Sequence, residues 1–255
     1  MTAPALALRG LTRDFGAFRA VDGVTLDIAA GSITGLIGPN GAGKTTLFNM
    51  IAGALKPSAG QVLLHGADVT GLKPDALFAR GLARTFQIPR PFRRMTVLEN
   101  VMLVPRGQTG ETVAGALFRR RAIAAEEARW QGKAMAILDF VTLAPLADHP
   151  AGGLSGGQMK LLELARALMG DPSVILLDEP AAGVNPALTR ILIDRIETLN
   201  RQGTTFVVIE HDMDFVMRHC NPVIALAEGR VLFQGTADEA RANPELLDAY
   251  LGTPA

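Results

Sequence analysis

A glycine-rich segment early in the chain carries the residue types that bind phosphate groups. Glycines let the backbone wrap round phosphates with its N–H groups pointing inward, and a following helix brings the positive end of its dipole to the same place. The pattern predicts that Lys44 reaches the β- and γ-phosphates of a nucleotide and that the Thr45 hydroxyl binds Mg²⁺. The segment matches the P-loop pattern G-x-x-x-x-G-K-[S/T], and its predicted phosphate-binding residues are Gly38, Pro39, Asn40, Gly41, Ala42, Gly43, Lys44, Thr45 and Thr46.

Two acidic residues end an apolar run further along the chain. Asp178 and Glu179 follow residues 174–177, and ligands of open α/β sheets bind at the carboxyl ends of strands. We expect Asp178 to hold Mg²⁺ through a water, and Glu179 to polarise an attacking water as a general base. A strand that ends in a solvated Asp-Glu pair is the alternative when the P-loop is ignored.

Two further features fit a nucleotide site. His211 follows a third apolar run, at 205–209, and fits a contact with the γ-phosphate, although a single histidine after a strand is more often structural. The segment Ser155-Gly156-Gly157-Gln158 opens a predicted helix and forms a second anion site by the same physics as the P-loop. Its spacing allows it to serve the nucleotide of its own chain or that of a partner.

Apolar runs and helical periodicity predict the elements that position these residues. The runs at 174–177 and 205–209 are typical of parallel strands buried on both faces, and 32–37 is a short apolar run that ends in a glycine-rich turn. Helical spacing follows at 44–54 and 186–200. Because strand, helix and strand recur, we expect an α/β sheet with right-handed crossovers.

The remaining regions have the patterns of further strands and helices. The first 30 residues have the pattern of strands, and 62–64 is another strand candidate. Residues 96–140 and 158–168 are mainly helical in pattern, and a short terminal helix is expected over 243–250.

Composition limits the class of protein. The chain has 255 residues, 25 of them basic and 25 acidic, and this neutral balance disfavours a nucleic-acid partner. Cys220 is the single cysteine, which excludes an intrachain disulfide and fits a reducing compartment. No stretch approaches the roughly 18 apolar residues that span a bilayer. We therefore expect a soluble chain that reaches a membrane only through a partner.

The motif Leu154-Ser-Gly-Gly-Gln158, together with the P-loop and the acidic strand, resembles ATP-binding-cassette (ABC) ATPases from about residue 5 to residue 252. The resemblance implies an α/β fold. It consists of a P-loop NTPase (RecA-like) core with an N-terminal antiparallel β subdomain and an inserted α-helical subdomain. It implies one nucleotide-binding domain over 1–255, with the core at 1–87 and 170–255 and the helical subdomain at 88–169.

The resemblance also implies roles for individual residues. Phe15 resembles the aromatic residue that stacks on adenine, with core packing as the alternative, and His211 resembles the switch histidine. Gln87 matches the glutamine that touches Mg²⁺ and the attacking water. Asn185 stands where aspartate is commoner, which makes its role in coupling two sites less secure. The signature residues of this family contact the γ-phosphate of the ATP bound to the opposite subunit, and here they are Ser155, Gly156, Gly157 and Gln158.

Strings at 84–101, 178–186, 209–217 and 249–252 resemble the LivG type of branched-chain amino acid importers. That resemblance implies ATP and Mg²⁺ as cofactors and a second cassette as partner, either a sister subunit or a copy of itself. It further implies two transmembrane permeases, a periplasmic substrate-binding protein, and a peripheral location on the cytoplasmic side of the inner membrane. The full signature motif, which is degenerate in some LivG members, favours two competent sites.

Alternatives remain for the function and for the docking surface. An ATPase of a lipid or polysaccharide exporter is one, and a soluble ABC ATPase of repair or translation is another, although the chain lacks coiled-coil insertions and a second cassette. Phe92, Met95 and 96–100 lie where a permease helix docks in the family, or they pack inside the helical subdomain. The basic run 119–121 is interpreted as a solvated face.

Overall fold

The computed structural model describes residues 3–85, 89–105, 108–111, 119–244 and 246. Its strands are β1 (Pro4–Phe15), β2 (Phe18–Ala29), β3 (Ile33–Ile37), β4 (Ala59–Leu64), β5 (Ala67–Asp68), β6 (Leu82–Arg84), β7 (Val174–Asp178), β8 (Thr205–Ile209), β9 (Val223–Ala227) and β10 (Arg230–Gly235). Its α-helices are α1 (Lys44–Ile51), α2 (Pro74–Phe78), α3 (Val97–Met102), α4 (Arg120–Phe140), α5 (Gly156–Leu168), α6 (Pro186–Arg201), α7 (Met213–His219) and α8 (Ala237–Ala242).

The larger sheet has the strand order β10-β9-β3-β8-β7-β6. All its neighbours pair in parallel except β10, which runs antiparallel to β9. Every residue of β7 and β8 is buried, as expected for strands covered on both faces. Since β8 lies between β3 and β7, the segments that follow these three strands emerge at one edge of the sheet. The P-loop, the acidic pair and His211 all follow those strands.

The smaller sheet is antiparallel, in the order β2-β1-β4-β5. In β2, buried and exposed residues alternate from Val24 onward, the pattern of a strand with one covered face. Leu26 and Ile28 on its covered face belong to the same apolar cluster as Leu36 of β3 and Leu176 of β7. The predicted α/β core and the predicted N-terminal antiparallel subdomain are confirmed.

The chain divides into two compact units. The first comprises Met1–Gln87, Pro172–Ala182 and Ile196–Ala255, and it contains both sheets. The second comprises Ile88–Asp171 and Gly183–Arg195. The stretch 183–195, which the sequence analysis assigned to the core, therefore groups with the helical unit. This grouping arises because Gly157 of α5 packs against Val184 and against Leu188 in the first turns of α6.

The second unit is held by local capping as well as by packing. At the start of α3, the Thr96 hydroxyl accepts a hydrogen bond from the N–H of Glu99, whose carboxylate accepts one from the N–H of Thr96. Such a box satisfies backbone donors that the helix itself leaves unpaired. The buried Asn100 side chain then joins α3 to Phe92 through hydrogen bonds to its N–H and its carbonyl.

No helix in the described ranges has the length and apolarity needed to cross a membrane. The helix predicted over 243–250 lies mostly outside the described residues, so it stays a prediction.

Candidate functional site

The P-loop joins the end of β3 to the start of α1, and two of its glycines are required by close backbone approach. Gly38 has φ 149° and Gly43 has φ 94°, both in the range that favours glycine. A Cβ atom on Gly38 would overlap the carbonyl oxygen of Leu226, and one on Gly43 would overlap that of Ala20. The loop is therefore fixed from outside by β9 and β2, which leaves its inner side for a ligand.

Lys44 is folded back onto the loop that precedes it. Its Nζ donates hydrogen bonds to the carbonyl oxygens of Gly38, at 2.6 Å, and of Pro39, at 2.9 Å. The residue is only 5% exposed. Burial lowers the pKa of Lys44 from its usual value, and the negative charge of Glu179 partly opposes that change. The ammonium thus lies at the P-loop, where a phosphate chain would be bound.

The acidic residues at the end of β7 point to different partners. Asp178 is buried, and its Oδ2 accepts a hydrogen bond from Nη2 of Arg84 at 2.9 Å. The Oε1 of Glu179 lies 3.1 Å from Nε2 of His211. The structure therefore brings Glu179 and His211 together, as the predicted roles of base and γ-phosphate contact require.

The backbone at Glu179 has an unusual conformation that aims its side chain. Its φ is 48°, in the left-handed region that non-glycine residues seldom occupy. Its N–H donates to the carbonyl of Ile209 in β8, and the next turn is held by the buried Glu210, which accepts from the N–H of Ala181 at 2.8 Å. Left-handed conformations of this kind concentrate at active sites.

These groups line one cavity of about 270 Å³ within the first unit. The described lining residues are Phe18, Ala20, Asn40, Gly41, Ala42, Gly43, Lys44, Thr45, Thr46, Glu179, Ile209 and His211. The P-loop, Glu179 and His211 thus line one space that has backbone donors, the ammonium of Lys44 and the carboxylate of Glu179. Asp178 and the signature residues are not among the described lining residues.

The aromatic residues near this cavity lie at the β1–β2 turn. Phe15 and Phe18 face each other across the hairpin and are 47% and 65% exposed. Phe18 lines the cavity, whereas the ring of Phe15 has the guanidinium carbon of Arg13 at 4.7 Å from its centroid. Both exposed rings are available for stacking, and Phe18 is the one that sequence analysis missed.

The signature turn belongs to the second unit and opens α5. The Ser155 hydroxyl accepts from the N–H of Gln158, and the Gln158 side chain accepts from the N–H of Ser155. Ser155 and Gly156 are exposed, whereas Gly157 is buried. A Cβ atom on Gly157 would lie 2.7 Å from Leu188 and 2.8 Å from Val184. The helix start is therefore small, exposed and already capped.

Known proteins resemble this chain in sequence. Residues 21–182 match the model of the ABC transporter family. The chain belongs to the ABC transporter family. It is 40% identical over 251 residues to the probable branched-chain amino acid transport ATP-binding protein LivG of Methanocaldococcus jannaschii, with 97% of each chain covered. It is 38% identical over 253 residues to the corresponding protein BraF of Pseudomonas aeruginosa, with 99% of each covered.

Solved structures agree with this membership. The ADP conformation of an ATP-binding cassette of an ABC transporter superposes with a TM-score of 0.84 at 38% identity, over 99% of this chain and 100% of that one. A nucleotide-free cassette gives the same TM-score over 98% of this chain and 99% of that one. The predicted family and fold are confirmed. The chain is a nucleotide-binding cassette and an ATPase subunit of an ABC transporter.

The structure describes only some of the residues that the family resemblance singled out. Gln87 lies outside the described residues, so its contact with Mg²⁺ and water stays a prediction. Asn185 caps α6, since its Oδ1 accepts from the N–H of Leu188 at 2.9 Å. Phe92 is 53% exposed, with the guanidinium of Arg166 at 5.9 Å from its ring centroid, so its ring is not part of the subdomain core.

The cassette also uses polar residues that the motifs did not single out. Glu210 holds the turn after Glu179, Arg84 binds Asp178, and Asn49 of α1 accepts from Arg84 at 2.5 Å. In the sequence, Arg84 and Glu210 stand out only because they lie close to motif residues. Nothing in the local pattern of α1 marks Asn49.

Proposed function

We propose that this cassette binds ATP with Mg²⁺ and hydrolyses it to power an importer of branched-chain amino acids or related small polar solutes. The observation that carries the proposal is the cavity that the P-loop, Lys44, Glu179 and His211 line together. Phosphoryl transfer to water needs a phosphate cradle, a cation and a group that orients the water. All three are present among the lining residues.

The residues present fit Mg²⁺. The ion prefers oxygen ligands and is commonly held by one or two carboxylates together with substrate phosphates. Thr45 is exposed at the first turn of α1, and among the described residues the Asp178 carboxylate accepts from Arg84 at Oδ2. We assign Thr45 and Asp178 as metal-binding residues, with Asp178 acting through a water and Gln87 as a further predicted contact. When bound, Mg²⁺ neutralises charge that develops on the phosphates.

Glu179 is assigned as the general base. Its carboxylate lines the cavity, and its position is fixed by the left-handed backbone and by the hydrogen bond from its N–H to β8. His211 lies within hydrogen-bond distance and orients that carboxylate, and its exposed ring lines the same cavity, where we assign it a contact with the γ-phosphate. Lys44 exchanges its loop carbonyls for phosphate oxygens. Adenine stacks on the aromatic turn at Phe15, with Phe18 beside it.

The signature turn is assigned to the ATP of a second cassette. Its Ser155 hydroxyl accepts one hydrogen bond from the cap and can still donate its own proton to a phosphate oxygen. The exposed Gly156 leaves space for close backbone approach. Two cassettes in head-to-tail arrangement would then hold each nucleotide between one P-loop and the signature turn of the other. Hydrolysis would release the pair.

The partners and cargo follow from the relatives. LivG of M. jannaschii and BraF of P. aeruginosa are named for branched-chain amino acid transport. We infer that the chain joins a sister cassette and two permeases at the cytoplasmic side of the inner membrane, supplied by a periplasmic binding protein. Co-purification from membranes with two polytopic proteins would support this assembly. Tight ribosome or DNA binding without membrane partners would contradict it.

Substitution of the general base tests the enzymatic part of the proposal. Glu179→Gln keeps the shape of the side chain but removes its basicity, so we expect turnover to fall about 10²–10⁴-fold while ATP binding persists. The variant should also accumulate as an ATP-bound dimer in size-exclusion chromatography. Glu127→Gln, at an exposed position of α4, is the matched control and should hydrolyse ATP as the unchanged chain does. Normal turnover in Glu179→Gln would remove the assignment.

A further inference from the structure

An ion pair and its neighbouring hydrogen bond join the two elements that carry the assigned metal ligands. Arg84 ends β6, where it pairs with Leu176 of β7. Its Nη2 donates to Oδ2 of Asp178 at 2.9 Å, and its Nη1 donates to Oδ1 of Asn49 at 2.5 Å. The side chains of Arg84 and Asp178 are 15% and 9% exposed. One guanidinium therefore holds β7 and α1 at the same time.

Asn49, the α1 residue that Arg84 binds, lies one helical turn from Thr45, the second assigned metal ligand. Asn49 lies four residues after Thr45 in α1, and residues at that spacing share a face of a helix. Phe48, which is fully buried, fixes the same side chain, because the Arg84 guanidinium carbon lies 5.8 Å from its ring centroid. A planar guanidinium with two occupied arms has a defined orientation that a lysine ammonium cannot reproduce.

We propose that Arg84 is a positioning residue for the divalent metal, setting the spacing between Asp178 of β7 and Thr45 of α1. Among the described residues, Arg84 binds Oδ2 of Asp178, which leaves Oδ1 for the metal or for a metal-bound water. Side chains that orient metal ligands from behind commonly alter metal affinity by about 10–100-fold when replaced. The proposal rests on the assignment of Asp178 and Thr45 as metal-binding residues.

A simple counter-ion would behave differently. Arg84 carries a positive charge close to a carboxylate that binds a cation, and if charge alone mattered, its removal would strengthen metal binding. If Arg84 sets the geometry of the metal ligands, its removal weakens metal binding, even though a positive charge that repels the metal is removed. Arg84→Lys separates the two effects because it keeps the charge and loses the two-armed contact.

The comparison pair within the same chain is Arg166–Glu163. It has the same 2.9 Å separation and a carboxylate side chain of the same 9% exposure, but it joins residues three apart within α5. The ion pair itself therefore lies within a single helix. Arg166→Met and Arg166→Lys are matched controls for loss of a half-buried ion pair.

The experiment measures metal binding directly in the Glu179→Gln background, which prevents turnover. Free Mn²⁺ is monitored by electron paramagnetic resonance as it is titrated into protein saturated with ATP, and ATP affinity is measured separately in EDTA. We expect Arg84→Met to weaken Mn²⁺ binding about tenfold or more and Arg84→Lys to weaken it less. Both should leave metal-free ATP affinity within about twofold, and the Arg166 variants should change neither quantity.

Asn49→Ala is the second route to the same test, because it keeps the buried ion pair and removes only the link to α1. We expect a several-fold weaker Mn²⁺ affinity with an unchanged circular dichroism spectrum. If Arg84→Met does not fold, Asn49→Ala and Arg84→Lys together still test the proposal. Unchanged or tighter Mn²⁺ binding in these variants would overturn the proposal. Failure of the Glu179→Gln parent to bind ATP with Mn²⁺ would instead overturn the proposed function.

Discussion

The starts of α1 and α5 were both predicted as anion sites, yet they are built in different ways. The residue that precedes α1 is Gly43, in a left-handed conformation, and no side chain in the described part of the chain caps the helix. The start of α5 is closed by the reciprocal hydrogen bonds of Ser155 and Gln158. An α-helix leaves its first four N–H groups without internal partners. At α5 the chain supplies part of that bonding itself, whereas α1 depends on a ligand.

This difference predicts different functions for the P-loop and the signature turn. The P-loop is held by backbone contacts and by the hydrogen bonds of Lys44, so we expect it to bind a nucleotide without a second subunit. The signature turn is capped by its own side chains, and it offers the Ser155 hydroxyl proton and the first-turn N–H groups that the cap does not bind. It suits a contact that adds to binding already made elsewhere. Substitutions at the two turns should therefore separate nucleotide binding from association of subunits.

The largest effect is expected at the P-loop. Lys44→Met keeps the length of the side chain and removes its charge, so hydrolysis should fall about 10²–10³-fold, with weaker ATP binding as well. Phosphate release and ATP titration by fluorescence measure the two effects. Lys56→Met, at an exposed position just after α1, should leave both unchanged. ATP binding and turnover at the usual level in Lys44→Met would mean that the P-loop lysine does not contact phosphate.

A smaller effect, confined to association, is expected at the signature turn. Ser155→Arg fills a turn made of small residues, and we expect ATP-dependent dimerisation in the Glu179→Gln background to weaken at least about tenfold, or 1.4 kcal/mol. ATP binding by the monomer should be unchanged. Analytical ultracentrifugation with and without ATP measures the first, and fluorescence titration measures the second.

The control for Ser155→Arg is another cap of the same kind. Thr236 and Glu239 form a capping box at α8, and Thr236 is exposed. Thr236→Arg removes a cap of about 1 kcal/mol without adding bulk to the signature turn. If it weakens dimerisation as much as Ser155→Arg does, the effect comes from lost helix stability. Loss of monomer binding in Ser155→Arg would show that the signature turn serves the nucleotide of its own chain.

The smallest effect concerns stability. Gly157→Ala places a methyl group within 2.8 Å of Val184 and 2.7 Å of the end of Leu188. Since the Leu188 terminus can rotate away, we expect a loss near the lower limit for overpacking, about 1 kcal/mol in the free energy of unfolding. Urea denaturation measures it. Gly153→Ala, which has no atoms within 4 Å of the new methyl, should change stability by less than about 0.5 kcal/mol.

Local patterns predicted the parts of the molecule that depend on neighbouring residues. The P-loop, the buried strands at 174–178 and 205–209 and the helix opened by Ser155 were all predictable, because glycine spacing and apolar runs act within one element. The common edge of the sheet then followed from the rule that ligands lie at the carboxyl ends of parallel strands. The same rule placed Asp178 and Glu179 in the site, whereas the role of His211 came from the family resemblance.

Contacts between distant side chains were not predictable in this way. Arg84 meets Asn49 across 35 positions and Asp178 across 94, and no periodicity connects them. Phe18 enters the cavity because the hairpin turn after Phe15 carries the chain back, a detail of turn geometry. The stretch 183–195 belongs to the helical unit, in which Gly157 lies close to Val184 and Leu188, and no local pattern connects these positions.

The inward position of Lys44 has a kinetic consequence. Its hydrogen bonds to Gly38 and Pro39 hold the loop in a defined conformation before any nucleotide arrives. The conformational entropy of ordering the loop is therefore lost during folding and not during association. ATP therefore meets a loop that is already ordered, and it has to displace the Lys44 ammonium from two carbonyl oxygens. We expect the rate of ATP association to depend on diffusion and charge, and only weakly on rearrangement of the loop.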